Sequence, residues 1–206
     1  MILSEKDMKK IPFNDYTFHV SKDVYEPAED TFLLAENLVV DKNDVVLDMG
    51  TGCGILGILA AKKARRVVAV DVNPPAVRCA KMNAKLNGVT EKMETLQSDL
   101  FKSIKKNEKF DLIIFNAPYL PSETMEKTNW IERAWTGGPT GRQFIDQFIL
   151  QAPSYLKTGG RILLVQSTLS DVEETVQKLG GRRFCVRVLA QEKVAFETIV
   201  VIEATL

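Results

Sequence analysis

Four residues that follow an apolar run, Asn116-Ala117-Pro118-Tyr119 after Leu112-Ile113-Ile114-Phe115, are of the types needed to do chemistry on a planar amide nitrogen. Such a nitrogen is a weak nucleophile because its lone pair is delocalised into the carbonyl. The side-chain oxygen of Asn116 and a nearby backbone carbonyl, that of Ala117, can together accept both N–H hydrogens. That would aim the nitrogen at an electrophile and stabilise positive charge as it develops. Tyr119 would pack against the planar group and Pro118 would hold the turn. No histidine base is required, in keeping with a chain whose one histidine is His19. A plain Asn-x-Pro turn after a strand has the same composition, so the surroundings decide between the two.

Upstream, Asp48-Met49-Gly50-Thr51-Gly52-Cys53-Gly54 puts an acidic residue at the end of an apolar run and three alternate glycines into the turn that follows. Glycine lets a backbone bend tightly and a ligand approach without a Cβ in the way. Gly52, Gly54 and Gly57 also satisfy the dinucleotide pattern GxGxxG, which by itself is met in structural turns too. Asp71 ends the next apolar run, at the distance expected of a carboxylate that binds ribose hydroxyls. Asp99 follows a third run, where it could accept a hydrogen bond from an adenine amino group. Asn73 and Leu100 stand beside these aspartates and join the expected cofactor-binding set. Singly, each aspartate would serve as a helix cap; three on successive strand ends point to a nucleoside cofactor. A pyrophosphate would be repelled by Asp48, whereas a sulfonium cofactor with an ammonium group would be attracted. The electrostatics favour S-adenosylmethionine over NAD.

The elements that must position these residues are legible as alternation. Tyr16–Val20 reads as a short strand, residues 29–40 as a helix, 45–47 as a buried strand, 55–63 as a helix and 67–70 as a strand. Pro74-Pro75 opens a helix that stops near Asn87-Gly88. Strands follow at 94–97 and 112–115, then an amphipathic helix at 142–155 ended by Thr158-Gly159-Gly160. A strand at 161–166, a helix at 170–179 and strands at 185–189 and 198–202 complete the chain. Repeated β-α alternation with continuous apolar strands implies a parallel sheet covered on both faces, with ligands beyond the carboxyl ends of its strands. The stretch 120–141 is long, contains both tryptophans and begins at that edge, as functional loops often do.

The 206 residues suit one domain. Lys plus Arg equals Asp plus Glu at 27 each, so there is no global basic field for nucleic acid. Three scattered cysteines, Cys53, Cys79 and Cys185, fit buried thiols in a reducing compartment better than a disulfide framework. With one histidine, no metal site is expected. No signal peptide or apolar span is evident, and a cytoplasmic location is expected.

Asn116-Ala117-Pro118-Tyr119 matches the [Asn/Asp/Ser]-x-Pro-[Tyr/Phe/Trp] motif of amino-group methyltransferases, with Ala117 in place of the commoner first proline. With the glycine turn and the strand-end aspartates, the chain resembles class I methyltransferases. Within them it resembles the HemK-like protein-glutamine N5-methyltransferases. Val24-Tyr25-Glu26-Pro27-Ala28-Glu29-Asp30-Thr31-Phe32 is similar to the segment that covers the cofactor in the archaeal and eukaryotic branch, and Thr31 matches a cofactor contact there. Glu132-Arg133-Ala134-Trp135-Thr136-Gly137-Gly138, with Gly141-Arg142, resembles that branch's glycine-rich loop beside the substrate pocket, which makes Trp135, Gly137 and Gly138 substrate-binding candidates. That loop also reads as a mobile lid anchored by a buried Trp135, and the two readings are compatible.

The resemblance implies an α/β, single-domain Rossmann-like fold with a seven-stranded, mostly parallel sheet, helices on both faces and an antiparallel C-terminal strand. Residues 24–206 would form the methyltransferase domain, with 1–23 an extension packing on it. The implied substrate is the glutamine of the Gly-Gly-Gln segment of a translation termination (release) factor. The implied partner is a small zinc-binding activator at the sheet edge near Met93–Gln97. Alternatives are adenine N6 in DNA or RNA, with Tyr119 stacking on a flipped base, and a lysine side chain. From other classes come an NAD-dependent oxidoreductase, which leaves Asn116 to Tyr119 without a role, and a silent binding subunit, which has no chemical need for Asp48, Asp71, Asp99 and Asn116 together.

Overall fold

The computed structural model describes residues 8–123 and 129–206. An antiparallel hairpin, β1 (Lys9–Phe13) and β2 (Tyr16–Val20), is followed by α1 (Glu29–Glu36), β3 (Val45–Met49), α2 (Ile55–Ala61), β4 (Arg66–Asp71), α3 (Pro74–Leu86), β5 (Met93–Gln97) and β6 (Phe110–Asn116). Then come α4 (Trp130–Trp135), α5 (Gln143–Gln151), β7 (Leu156–Ser167), α6 (Val172–Gly180), β8 (Cys185–Lys193) and β9 (Thr198–Thr205). Seven strands form one sheet in the order β5-β4-β3-β6-β7-β9-β8. β5, β4, β3, β6 and β7 pair in parallel. β9 runs antiparallel between β7 and β8. This is the Rossmann-like arrangement expected of the sequence.

All five residues of β3 are buried, as are residues 67–70 of β4 and 112–115 of β6, because helices cover both faces of a parallel sheet. The register aligns the functional ends. Met49 lies opposite Val70 and Phe115, and Asp71 lies opposite Gln97. Whatever follows β3, β4, β5 and β6 therefore gathers on one edge. Beneath that edge Phe115 packs on Phe148 of α5, with ring centroids 4.8 Å apart, and Phe148 stacks on Phe101 at 5.8 Å. These buried rings hold the end of β6 in place.

Several boundaries differ from the sequence expectation. β1 was not foreseen, since Pro12 and two lysines disguise it; proline suits a strand in a small hairpin with an open edge. β2 lies against α3, where fully buried Asn83 accepts from the His19 N–H at 2.9 Å and donates to the carbonyls of His19 and Cys53, each at 2.8 Å. α1 ends at Glu36 rather than near residue 40, with Asn37 closing it. The helix expected to reach residue 155 gives way to a 3-10 turn at Ala152–Tyr155, which contains Pro153. Gly159 and Gly160, expected to end that helix, lie inside β7, where its register against β6 shifts. A Cβ on Gly160 would meet the carbonyl of Lys157 at 2.8 Å, so glycine allows the irregularity. The long stretch 120–141 contains α4, and its residues 124–128 lie outside those described.

Candidate active site

At the carboxyl edge the sheet opens into a cavity of about 830 Å³, large among small-molecule sites. Gly50 and Gly52 after β3, Asp71 and Asn73 from the end of β4, Asp99 and Leu100 after β5, and Asn116, Ala117, Pro118 and Tyr119 from the end of β6 line it. Thr31 of α1, Trp135 and Gly138 complete the expected residues in its walls. Asp48, Gly54 and Gly137 stand behind the walls.

The glycine turn is built for close approach. The Thr51 N–H donates to Val70 O at 2.9 Å and the Gly54 N–H to Thr51 O at 2.8 Å, so the chain folds back across β4. Gly54 has φ +92°, and a Cβ there would lie 3.0 Å from Cα of Ala80; glycine permits both the conformation and the contact with α3. The Asp71 carboxylate accepts from the N–H groups of Gly52 and Asn73, each at 2.9 Å, tying the turn to the start of α3. Burial raises its pKa against the opposing pull of these bonds.

Asp48 does not face the cavity. One carboxylate oxygen accepts from the Thr51 hydroxyl at 2.5 Å and the Gly57 N–H at 2.9 Å. The other is buried with no partner among the described residues. Burial pushes the carboxyl up to about 7. It shapes the turn from behind. Asp99 lines the cavity while ion-paired to Lys102. The side-chain oxygen of Asn73 is buried without a partner among the described residues, its nitrogen donating to Asp23 O at 2.7 Å.

The centre of the site is a buried carboxylate that sequence reasoning passed over. Asp30, 5% exposed, accepts from the Thr31 N–H at 2.6 Å, the Thr31 hydroxyl at 3.1 Å, the Tyr25 hydroxyl at 3.2 Å and the Asn116 Nδ2 at 3.0 Å. The Tyr119 hydroxyl lies 3.5 Å away. Asn116 Nδ2 also donates to Thr31 Oγ1 at 3.1 Å. Both hydrogens of the Asn116 amide are thus taken on the α1 side, and its oxygen, buried, has no partner among the described residues. Burial, followed by the charge of Asp30, raises the pKa of both Tyr25 and Tyr119, so both hydroxyls stay protonated donors. The site presents an amide oxygen backed by negative charge, an acceptor set for an N–H.

The glycine-rich stretch is docked by its backbone. Leu120 N–H donates to Trp135 O at 2.9 Å and Gly137 N–H to Leu120 O at 2.8 Å. At Gly141, φ +73°, a Cβ would lie 2.2 Å from Tyr119 O. Arg142, 4% exposed, donates to Ser170 O at 2.6 Å and pairs with Asp146 and Glu174. Trp135 is not the buried anchor expected under the lid reading; it is 40% exposed and lines the cavity, because the main chain does the anchoring. Phe196 and Glu197, from the turn between β8 and β9, also line the cavity, and no motif announced them. Asp30 and Tyr25 were inside the quoted Val24 to Phe32 segment, where only Thr31 received a role.

These residues fit a nucleoside cofactor with a cationic tail. A tight glycine turn lies beside Asp71, and the uncompensated buried oxygen of Asn73 favours positive or N–H-bearing groups. Among the described residues no group of three His, Cys, Asp or Glu is arranged to hold a metal, and no helix is long and apolar enough to cross a membrane.

A family profile described as Methyltransferase small domain matches residues 21–194. The chain is 47% identical over 184 residues to a Methanocaldococcus jannaschii protein named provisionally as a protein N5-glutamine methyltransferase, covering 88% of this chain and 91% of that one. It is 33% identical over 166 residues to human methyltransferase HEMK2, covering 75% of this chain and 77% of the relative. In three dimensions it is similar, with a TM-score of 0.65 and 26% identity, to a chain from the E. cuniculi Mtq2–Trm112 complex, described as responsible for methylation of the eRF1 translation termination factor. That alignment covers 89% of this chain and 98% of the other.

Proposed function

From the premise that the chain belongs to the HemK-like methyltransferases, we propose that it transfers a methyl group from S-adenosylmethionine to the side-chain amide nitrogen of a glutamine, in the Gly-Gly-Gln segment of a translation termination factor. The observation that carries this reading is the orientation of Asn116: both its hydrogens are engaged by Asp30 and Thr31, leaving its oxygen as a buried acceptor.

Bound in the cleft, S-adenosylmethionine supplies an electrophilic methyl group on a sulfonium. Gly50 and Gly52 would form its cradle, with Gly54 and Asp48 shaping the turn from behind, Asp71 and Asn73 would bind the ribose side, Asp99 and Leu100 the adenine, and Thr31 the charged end. The chain's own part is positioning and electrostatics. Asn116 Oδ1 and the carbonyl of Ala117 accept the two N–H hydrogens of the target amide and orient its lone pair. As the nitrogen gains positive charge, both acceptors strengthen, with Asp30 adding negative charge behind Asn116. Tyr119 packs on the amide plane, Pro118 keeps the turn, and Trp135 and Gly138 form the opposite wall, with Gly137 behind it holding the loop to Leu120. Neither tyrosine acts as a base, because their hydroxyls are held protonated.

The extension ending at residue 23 packs on a transfer domain of residues 24–206, an assignment supported by the seat of β2 on α3. The resemblance implies a small zinc-binding partner subunit at β5, and two facts support a partner there, without bearing on the zinc. β5 is an outer strand of the described sheet, and the E. cuniculi relative was solved as a two-protein complex. A termination factor as substrate would place the work in the cytoplasm.

The test is methyl transfer from labelled S-adenosylmethionine to a purified termination factor and to its Gly-Gly-Gln→Gly-Gly-Ala variant, with and without a candidate partner subunit. Label on the first alone is expected. Equal label on both moves the target to another residue, and label on neither, with cofactor bound, sends the search to adenine in nucleic acid.

A further inference from the structure

The turn that joins β8 to β9 brings two residues to the cavity that the transfer chemistry above leaves unused. The Val194 N–H donates to Glu197 O at 3.0 Å and closes this turn. Its base is fixed, since the Thr198 N–H donates to Thr168 Oγ1 at 3.1 Å and β9 lies between two strands of the sheet. On this turn Phe196 is 94% exposed, the barest large apolar side chain among the described residues, and it stands at the wall of the cavity. Beside it, Oε2 of Glu197 is buried and has no hydrogen-bond partner among the described residues. The charge of Glu197 acts on the hydroxyls of Tyr25 and Tyr119, which puts it near the target end of the site. Those hydroxyls already donate to Asp30.

A carboxylate oxygen shut away from water without a donor is costly, as is an apolar ring left in water. One visitor relieves both: a segment of main chain that offers an N–H to Glu197 and a flat, uncrowded peptide plane to Phe196. Glycine is the residue that lets an aromatic ring come down on the backbone, because no Cβ stands in the way. Resting on the glutamine reading above, we propose that the turn 194–197 is a substrate clamp, Glu197 accepting a main-chain N–H beside the target glutamine and Phe196 covering the adjoining glycine backbone. Bond orders and protons are unchanged by this step; it positions the substrate.

The experiment is steady-state methyl transfer to the whole termination factor by wild type, Phe196→Ala, Phe196→Leu, Glu197→Gln and Glu197→Ala, with calorimetric affinity for S-adenosylmethionine measured on each. Phe196→Ala is expected to raise KM for the factor about ten- to a hundredfold with kcat little changed, and Phe196→Leu to recover part of the loss. Glu197→Gln, which keeps an acceptor, should cost less than Glu197→Ala. A factor carrying Ala for the glycine before the target should cost wild type more than it costs Phe196→Ala, since the two changes remove the same contact. Unaltered cofactor affinity reports that the variants fold. If wild type labels the factor at its glutamine and KM is unmoved in all four variants, the clamp is overturned and the glutamine reading stands. If wild type labels neither the factor nor its Gln→Ala form, the glutamine reading falls and the clamp with it.

Discussion

Replacing Asp30 by Asn inverts the polarity of the site without changing its shape, and the consequence can be worked from the hydrogen bonds. In the wild type one Asp30 oxygen holds the Thr31 N–H and hydroxyl, and the other accepts from Asn116 Nδ2 at 3.0 Å. In Asp30→Asn the first oxygen keeps its partners, and the second becomes an NH2 facing the NH2 of Asn116. Two donors cannot pair, so the Asn116 amide turns over, its oxygen accepts from the new group, and its nitrogen now faces the substrate. A hydrogen bond to a charged group contributes about 1.5–3 kcal/mol, so losing the bond that set the orientation lowers the productive population by about ten- to a hundredfold. The lost negative charge near the reacting nitrogen adds to this. We expect kcat to fall by about 10²–10³ with cofactor affinity nearly intact, measured by labelled methyl transfer and calorimetry. The double variant Asp30→Asn/Asn116→Asp restores an acceptor on the substrate side and a donor–acceptor pair behind it, and should recover part of kcat. Equal loss of cofactor affinity and kcat in the single variant, or no gain in the double, would refute the orientation argument.

The Asp71→Ala variant should weaken S-adenosylmethionine binding about ten- to a hundredfold, because the half-buried carboxylate proposed to bind the ribose is lost together with its bonds to two backbone N–H groups; unchanged affinity in calorimetry would count against its role. Asp48 gives a pH signature. Its carboxyl titrates near 7 in the folded protein and at the ordinary 3.8 when unfolded, so between about pH 4 and pH 7 the folded state keeps a proton that the unfolded chain has lost. Its contribution to stability therefore falls as pH rises through that window, by up to about 1.4 kcal/mol per unit, and levels off above it. Urea midpoints of wild type minus Asp48→Asn should show this slope, and parallel curves would exclude it. Gly141→Ala forces a Cβ against Tyr119 O at a left-handed φ and should cost about 1–3 kcal/mol and raise KM for the protein substrate; a variant with wild-type melting and KM would mean the loop yields freely.

The central strands, the glycine turn and the aspartates at the strand ends were legible because each is set by a short-range rule. Continuous apolar runs make buried parallel strands, Pro74-Pro75 opens α3 and Gly88 follows its close, and parallel register then delivers Asp71 and Asn116 to one edge without further information. What escaped was set by long-range geometry. Asp30 sits in a stretch that also reads as an ordinary helix start, Glu-Pro-Ala-Glu-Asp, and nothing local says that α1 will be laid across β6, 86 residues on, so that this carboxylate rather than its neighbours meets Asn116. Asp48 looked like a charge beside the ligand because it precedes the glycines, yet alternation in a strand sends successive side chains to opposite faces, and its carboxylate went inward to Thr51 and Gly57. The lid reading makes Trp135 a buried anchor, whereas backbone bonds at Leu120 and Gly137 dock the loop and leave the ring partly exposed at the cavity wall. Phe196 and Glu197 lie on the turn before the antiparallel strand, and only the insertion of β9 between β7 and β8 brings that turn to the site. The motif at 116–119 thus points to an amide-binding chemistry, but which atom of Asn116 is left without a partner is decided by Asp30 on a different element.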